Sequence, residues 1–366
     1  MQARKKELRY SIGISLTLAF IFSILFLLGI FSNIQLRLTD NLYGGKNAMN
    51  NIVILAIDDK SLQELGRWPW NREVFVKGFS RLNKTAVVGV DVAFFEKYDL
   101  NVDKELAAVI KQNNNFVLPV EYTQFESISE QVMGKEVMTP VGDLISSAKG
   151  LGYINIVTDS DGVTRAVNTN VQGEYDSFAN SVYKIFIGKD SGVKENRLLI
   201  NFVGRPGSFT TYSFSDLING KLDVDSLKDK IIFVGATSPD LHDDYFVPTS
   251  KGKAMPGVEV HANIMQQLIN KDNLHEVSPL LTVLLIFAIA LLTGLMLYRF
   301  HAMITTIIVG LVLIAYIVLG VILFDNANLI VNFIYPILAG VFSYVFVVLY
   351  FYFFEKKTNQ ELLNAF

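Results

Sequence analysis

The sequence predicts an α/β domain with a mixed sheet, placed outside the cytoplasm and carried by four transmembrane α-helices, one before it and three after. Three observations lead there. The chain has 366 residues, 51% of them hydrophobic, and the apolar excess is gathered into one N-terminal block and three C-terminal blocks. The stretch between these blocks has a globular composition, with strand-like and helix-like periodicity in alternation. Basic residues flank the apolar blocks on one side only.

Residues 1–10 carry Arg4, Lys5, Lys6 and Arg9, and residues 11–31 are apolar and uncharged. About 20 such residues span a bilayer. The rival reading is a cleaved signal peptide, but the run exceeds a usual signal core and no small-x-small cleavage site follows it, so an uncleaved anchor is expected. Ser11, Ser15, Ala19 and Ser23 recur every fourth residue, a stripe of small side chains that permits close helix approach, in cis or in a dimer.

The remaining spans are expected at residues 279–298, 303–324 and 329–354, with Ser278 as a cap before Pro279 and a kink possible at Pro336. Arg299, Lys356 and Lys357 share a side with the N-terminal basic cluster, and the 325–328 connection has no Lys or Arg. Both termini are therefore expected in the cytoplasm and residues 32–278 outside. No Asp, Glu, Lys or Arg lies inside a span, which speaks against an ion pathway or proton relay.

Within 32–278, the apolar run 51–57 reads as a buried strand ended by Asp58 and Asp59. Ser61 and Glu64 match a capping box, and Gly66-Arg67-Trp68-Pro69-Trp70 breaks that helix. Asn71 caps the next helix, to about residue 82. Strands at 86–95 and 116–120 flank a helix at 103–112, an order that argues for parallel pairing. Residues 150–157 and 163–170 look like an antiparallel hairpin about a turn at 159–162. A helix at 177–187, strands at 198–203 and 231–234, a long acidic loop and a helix at 257–269 complete the domain.

A net charge of −3 with no basic stripe excludes nucleic acid as a partner, and the absence of Cys excludes disulfides, thiol nucleophiles and thiolate metal sites. No Gly-rich phosphate loop, nucleophile elbow or zinc helix occurs, so no cofactor, metal or catalytic set is expected. Ligands of open α/β sheets gather at the carboxyl ends of strands. The candidate ligand-binding residues are accordingly Asp58, Asp59, Asp91, Thr237 and Asp240, with Arg165 and His261. Each has a structural alternative. Asp58 and Asp59 suit helix caps, Asp91 needs a partner inside an apolar strand, Arg165 follows a turn as a surface cation would, and His261 shares an apolar helical face with Ile264, Met265 and Leu268. Asp240, His242, Asp243 and Asp244 match no metal-loop spacing and read as a solvated acidic loop. Trp68 and Trp70 line a pocket, a dimer face or a buried corner; with the Ser11, Ser15, Ala19, Ser23 stripe they are the candidate interface residues.

Several motifs share an order and spacing: Asp58-Asp59-x-Ser61-Leu62, Gly66-Arg67-Trp68-Pro69-Trp70-x-Arg72, residues 86–94 around Asp91, Asp161-Gly162-Val163-x-Arg165, Val234-Gly235-Ala236, and the run 256–263 that includes His261. Together they resemble the CHASE domain of the second type, the cyclases/histidine kinases associated sensory extracellular domain, over about residues 38–273. Asn168-Thr169-Asn170 departs from the more apolar continuation expected there. The resemblance implies a bacterial cell-membrane receptor, homodimeric, with an external small-molecule or protein ligand and the bilayer as partner. It also implies a cytoplasmic output: a class III adenylate or guanylate cyclase, a histidine kinase or a serine/threonine kinase. Residues 355–366 are then a linker to an output domain outside this chain, and residues 361–366 look like the lead into a cyclase domain. No enzyme is expected within the chain itself. The alternative is a structural or partner-binding membrane protein. The 257–269 helix, next to the membrane in sequence, is the expected mechanical link.

Overall fold

The computed structural model describes residues 2–128, 131–169 and 175–363; Asn170, at the end of the expected hairpin, and residues 364–366 of the expected linker lie outside them. The chain forms two compact units, Tyr43–Leu274 and a second one built from Met1–Leu42 with His275–Phe366.

The chain opens with helices α1 (Gln2–Leu27) and α2 (Ser32–Asp40), parted by a left-handed residue at Phe31 (φ 76°). The central unit then runs β1 (Ile52–Ile57), α3 (Asp59–Leu65), α4 (Arg72–Phe79), β2 (Val87–Asp91), α5 (Leu100–Asn113), β3 (Phe116–Ile128), β4 (Gln131–Met138), α6 (Asp143–Ser147) and β5 (Gly150–Tyr153). It continues through β6 (Ala166–Asn168), α7 (Phe178–Ile187), β7 (Arg197–Leu199), β8 (Thr210–Ser213), α8 (Phe214–Ile218), β9 (Ile231–Ala236), β10 (Asp244–Tyr245), β11 (Met255–Pro256) and α9 (Gly257–Asn270).

A seven-stranded sheet in the order β4-β3-β2-β9-β1-β8, with β5 also on β3, forms the core. β1 and β9 are apolar at nearly every position because both sheet faces are covered. Ile52, Ile54, Ile231 and Phe233 face α7 and α9, whereas Val53, Leu55, Ile232 and Val234 face the layer of α4, α5 and α8. All pairings are parallel except β3 with β4, so the sheet is mixed as expected, but its antiparallel part lies elsewhere. The expected 150–157/163–170 hairpin does not form as a ladder. β5 joins the main sheet parallel to β3, β6 pairs with β7, and only a single Val157–Ala166 bridge closes the turn.

Three local expectations are corrected. Asp58, not Ser61, caps α3: its carboxylate accepts from the Ser61 N–H at 2.8 Å, and the Ser61 hydroxyl instead accepts from the Ser215 N–H at 3.0 Å. Asn71 does cap α4, accepting from the Glu73 N–H, but the helix stops at Phe79. The 198–203 strand ends at Leu199 because side chains of α9 take over its backbone groups. Gln267 accepts from the Asn201 N–H and donates to the Leu199 carbonyl, and Asn263 accepts from the Val203 N–H.

In the second unit, β12 (His275–Glu276), α10 (Pro279–Arg299), α11 (Ala302–Ala327), β13 (Leu329–Ile330) and α12 (Ile334–Leu363) follow α1 and α2. Four stretches, Lys6–Leu27, Pro279–Arg299, Ala302–Ala327 and Ile334–Phe354, are long and apolar enough to cross a membrane. The first lies earlier than the expected 11–31 and ends at Leu27, because Gly29 and Phe31 take left-handed backbones and start α2. The last starts later than 329 because Leu329 and Ile330 pair with β12. Gln35 of α2 fastens this corner: its amide donates to the Val331 carbonyl and accepts from the Phe333 and Ile334 N–H groups at the start of α12. Ser11, Ser15, Ala19 and Ser23 are buried. The Ser11 hydroxyl donates to the Gly294 carbonyl at 2.6 Å, and a methyl group on Gly294 would collide with Ser15. The stripe therefore packs α1 on α10 of the same chain and is not a free dimer face.

Candidate functional site

The parallel strands end along one rim of the sheet, but the candidates gathered there divide into different roles. Asp58 accepts from the Ser213 hydroxyl as well as capping α3, and Asp59 accepts from the Ser238 hydroxyl. Both carboxylates are thus spent on tying the end of β1 to its neighbours β8 and β9. Thr237 is half-buried and donates its N–H to the Ile57 carbonyl; Asp240 is exposed, in the single turn Pro239–Leu241. Arg165 is not the surface cation that its turn suggests. It is 3% exposed and bonds Asp159 and Asp161, each at 2.9 Å, while Arg197 reaches Asp159 from the other side. The Arg165 guanidinium holds the Asp161 carboxyl below the usual carboxylate range. This network stiffens the 159–165 turn, which is anchored through the Thr164 N–H to the Phe246 carbonyl.

Asp91 and His261 do come together. Asp91 ends β2, and its carboxylate lies 3.9 Å from His261 Nε2, beyond hydrogen-bond length; the two side chains are 8% and 2% exposed. Among the described residues His261 Nδ1 has no hydrogen-bond partner, and the ring packs edge-on against Phe178 at 5.1 Å. The loop after β9 folds back through β10 and β11 and brings Asp243 and Tyr245 toward the same pair. The Gly257 N–H donates to the Asp243 carbonyl at 2.9 Å, and a Cβ on Gly257 would lie 2.6 Å from an Asp243 carboxylate oxygen. Only glycine fits at the first residue of α9.

Burial sets the electrostatics. Burial first, then the charges of Asp243 and Glu121, push the Asp91 carboxyl well above the ordinary range. Burial lifts Asp243 to about 6, with the Tyr245 hydroxyl acting the other way. Burial lowers His261 to about 3, so its imidazole is neutral at physiological pH. No lysine or arginine is among the groups that shift Asp91, Asp243 or His261. The cluster is acidic, largely buried and incompletely hydrogen-bonded among the described residues. Among the described residues no three His, Asp or Glu side chains converge as metal ligands. Asp243 and Tyr245 escape sequence reasoning because a remote strand pair positions them; the signal that could find them is Gly257, whose missing side chain leaves room for Asp243. Glu259, one turn into α9, is also buried, and its carboxylate accepts from the Gly207 and Ser208 N–H groups, a structural role.

On the opposite face of the sheet, beyond the end of β2, lies a cleft of about 420 Å³ lined by Trp68, Trp70, Phe75, Phe94 and the 96–98 loop. Trp70 is 6% exposed and stacks on Phe214 at 5.9 Å, so it belongs to the core and not to a dimer face. Trp68 is half-buried, edge-on to Trp70 at 5.3 Å, and forms the cleft wall.

A family model described as the CHASE2 domain matches residues 16–296. No curated protein and no solved structure matches the chain. The matched span contains the whole α/β unit, with both Asp91 and His261 and the aromatic cleft.

Proposed function

Since the chain belongs to the CHASE2 domain family, a family of sensory domains, we propose that it is the sensing and membrane part of a multi-pass receptor whose α/β domain reads a signal outside the cytoplasm. In this reading both termini lie on the cytoplasmic side of a bacterial cell membrane, and a cytoplasmic output domain, a class III adenylate or guanylate cyclase in preference to a histidine or serine/threonine kinase, responds as a dimer. The observation that carries the proposal is the Asp91–His261 pair: two nearly buried polar side chains 3.9 Å apart, with His261 Nδ1 lacking a partner among the described residues, on a sheet rim where ligands of this architecture bind. A fully satisfied core has no need of such a pair, and leaving it unsatisfied costs stability. His261 lies on α9, and residues 271–278 lead from α9 directly to α10. A signal that binds the two packings of α9 differently shifts the balance between them, and that difference is all a sensor requires.

The test fuses the chain after Phe366 to a class III cyclase catalytic domain and measures cyclic nucleotide in cells exposed to fractionated growth medium. A regulated signal is expected in the parent. Asp91→Asn and His261→Ala are expected to lose regulation while insertion into the membrane is unchanged. Regulation intact in both variants overturns the role of the pair, and no regulation by any fraction overturns the sensory reading.

A further inference from the structure

The cleft on the other face of the sheet has a composition that specifies its occupant. Its depth is aromatic: Phe75 contacts Trp68 at 6.2 Å, Trp70 at 6.0 Å and Phe94 at 5.1 Å, all ring centre to ring centre. The polar groups that reach this depth are held by the protein's own partners. The Trp70 indole N–H donates to the Gly66 carbonyl at 2.7 Å, and Arg72 donates to Asp103 at 2.5 Å and to the Glu96 carbonyl. The mouth is different. Glu96, Lys97 and Tyr98 line it, and among the described residues their side chains make no hydrogen bond or ion pair, nor does the Trp68 indole N–H. Tyr98 is 56% exposed.

These features exclude three occupants. A sugar ring would bury most of its hydroxyls against aromatic and aliphatic side chains that cannot hydrogen-bond them, at a cost per hydroxyl. A cationic head group would enter an aromatic pocket that already holds the Arg72 guanidinium 5.4 Å from the Phe94 ring. A wholly apolar ligand would leave an unpaired acid and an unpaired base at the mouth unused. What remains is a molecule with an apolar ring at one end and opposite charges at the other. The cleft volume is near the lower end of small-molecule sites, roughly 300–1,000 Å³.

We propose that the cleft of Trp68, Phe75 and Phe94 binds a free amino acid with an aromatic side chain, its ring against these three residues, its ammonium toward Glu96 and Tyr98, and its carboxylate toward Lys97 and the Trp68 N–H. This names a ligand class for the external domain and rests on the sensory reading only for its purpose; binding is measured on the chain alone.

The chain has two tryptophans, and both line this cleft, so their emission reports on it. The experiment titrates L-phenylalanine, which does not emit at tryptophan wavelengths, into the full chain in lipid nanodiscs. A saturable change in emission is expected. Phenethylamine, without the carboxylate, and 3-phenylpropanoate, without the ammonium, are each expected to bind about tenfold more weakly, the loss of one charge-assisted contact. Lys97→Met is expected to weaken L-phenylalanine about tenfold and leave phenethylamine unchanged; Glu96→Gln does the same relative to 3-phenylpropanoate. Both substitutions are at exposed positions, so loss of folding does not confuse the result. No saturable change with L-phenylalanine overturns the proposal, as does equal binding of all three compounds. If the cyclase fusion responds to medium while L-phenylalanine is silent here, the ligand class falls and the sensory reading stands.

Discussion

The two sides of the sheet at the end of β2 are built on opposite terms. Toward α7 and α9, Asp91 and His261 are nearly sealed from water, His261 Nδ1 has no hydrogen-bond partner among the described residues, and the half-buried Asp243 lies beside them with Tyr245. Toward α4, the aromatic cleft is open to solvent, and its deep polar side chains, Trp70 and Arg72, are held by partners within the protein. A sealed polar cluster without partners stores a cost that rearrangement can release; an open cleft with a finished interior is a preorganised receptor. The comparison separates the two tasks proposed for one strand end: admission of a ligand on one side and a balance sensitive to packing on the other. Asp91 closes β2, and the cleft-lining Val92 and Phe94 follow it within three residues, so a shift on either side is transmitted through covalent chain.

The comparison breaks most severely at Phe75. This ring is 2% exposed and touches Trp68, Trp70, Phe79, Phe94 and Phe214. Phe75→Ala should destabilise the domain by about 3–5 kcal/mol, the range for a buried aromatic truncated to alanine. Denaturant unfolding followed by circular dichroism measures it. A loss below about 1 kcal/mol would mean that the cleft wall is pliable rather than preformed.

The sealed side is sharpened by pH. Asp243, lifted to about 6 from 3.8, binds its proton more tightly in the folded state, so its contribution to stability is present below 3.8 and is lost as pH rises through about 6. His261, lowered to about 3 from 6.5, acts in the opposite sense: its contribution is present above 6.5 and is lost as pH falls toward 3. Asp91, pushed well above its ordinary range by burial, acts in the same sense as Asp243, so between these limits the parent sets two carboxyls against one imidazole. Relative to the parent, Asp243→Asn should turn the profile toward loss of stability on acidification across this window, and His261→Gln toward gain, each by up to about tenfold in the folding constant per pH unit. Unfolding midpoints at four or five pH values decide it. Parallel profiles for parent and both variants would mean that the cluster is hydrated and the sealed description is wrong.

Much of this was open to sequence reasoning, and the failures share a cause. β1 and β9 were legible because nearly every residue is apolar, the pattern of a strand covered on both faces. Asp91 stood out as a charge inside such a run. The membrane helices were legible by length and composition, but their ends were not: Phe31, Leu329 and Ile330 are apolar for reasons of turn and strand pairing, and apolarity does not distinguish these from bilayer. Residues 150–157 and 163–170 alternate as a hairpin would, yet β5 pairs with β3, and no local pattern encodes a partner so remote. The cleft shows the same limit. Trp68 and Trp70 were visible as a motif, but the wall opposite them, Phe94 to Tyr98, arrives only when β2 is docked.

The smallest expected effect concerns Asp58, and it tests whether the rim is correctly divided between structure and site. Its carboxylate accepts from the Ser61 N–H at 2.8 Å and also from the Ser213 hydroxyl, so it caps α3 and fastens β1 to the segment that starts α8. A cap exchanged for alanine costs about 1 kcal/mol, because a helix N–H loses its acceptor while water still reaches the helix end. Asp58→Ala should therefore lower the unfolding free energy by about that amount and leave the tryptophan response to L-phenylalanine untouched. Asp58→Asn, which keeps an acceptor oxygen, should recover most of the loss. The opposite pattern, unchanged stability with a lost response, would return Asp58 to the ligand-binding residues and move the site from the end of β2 to the end of β1.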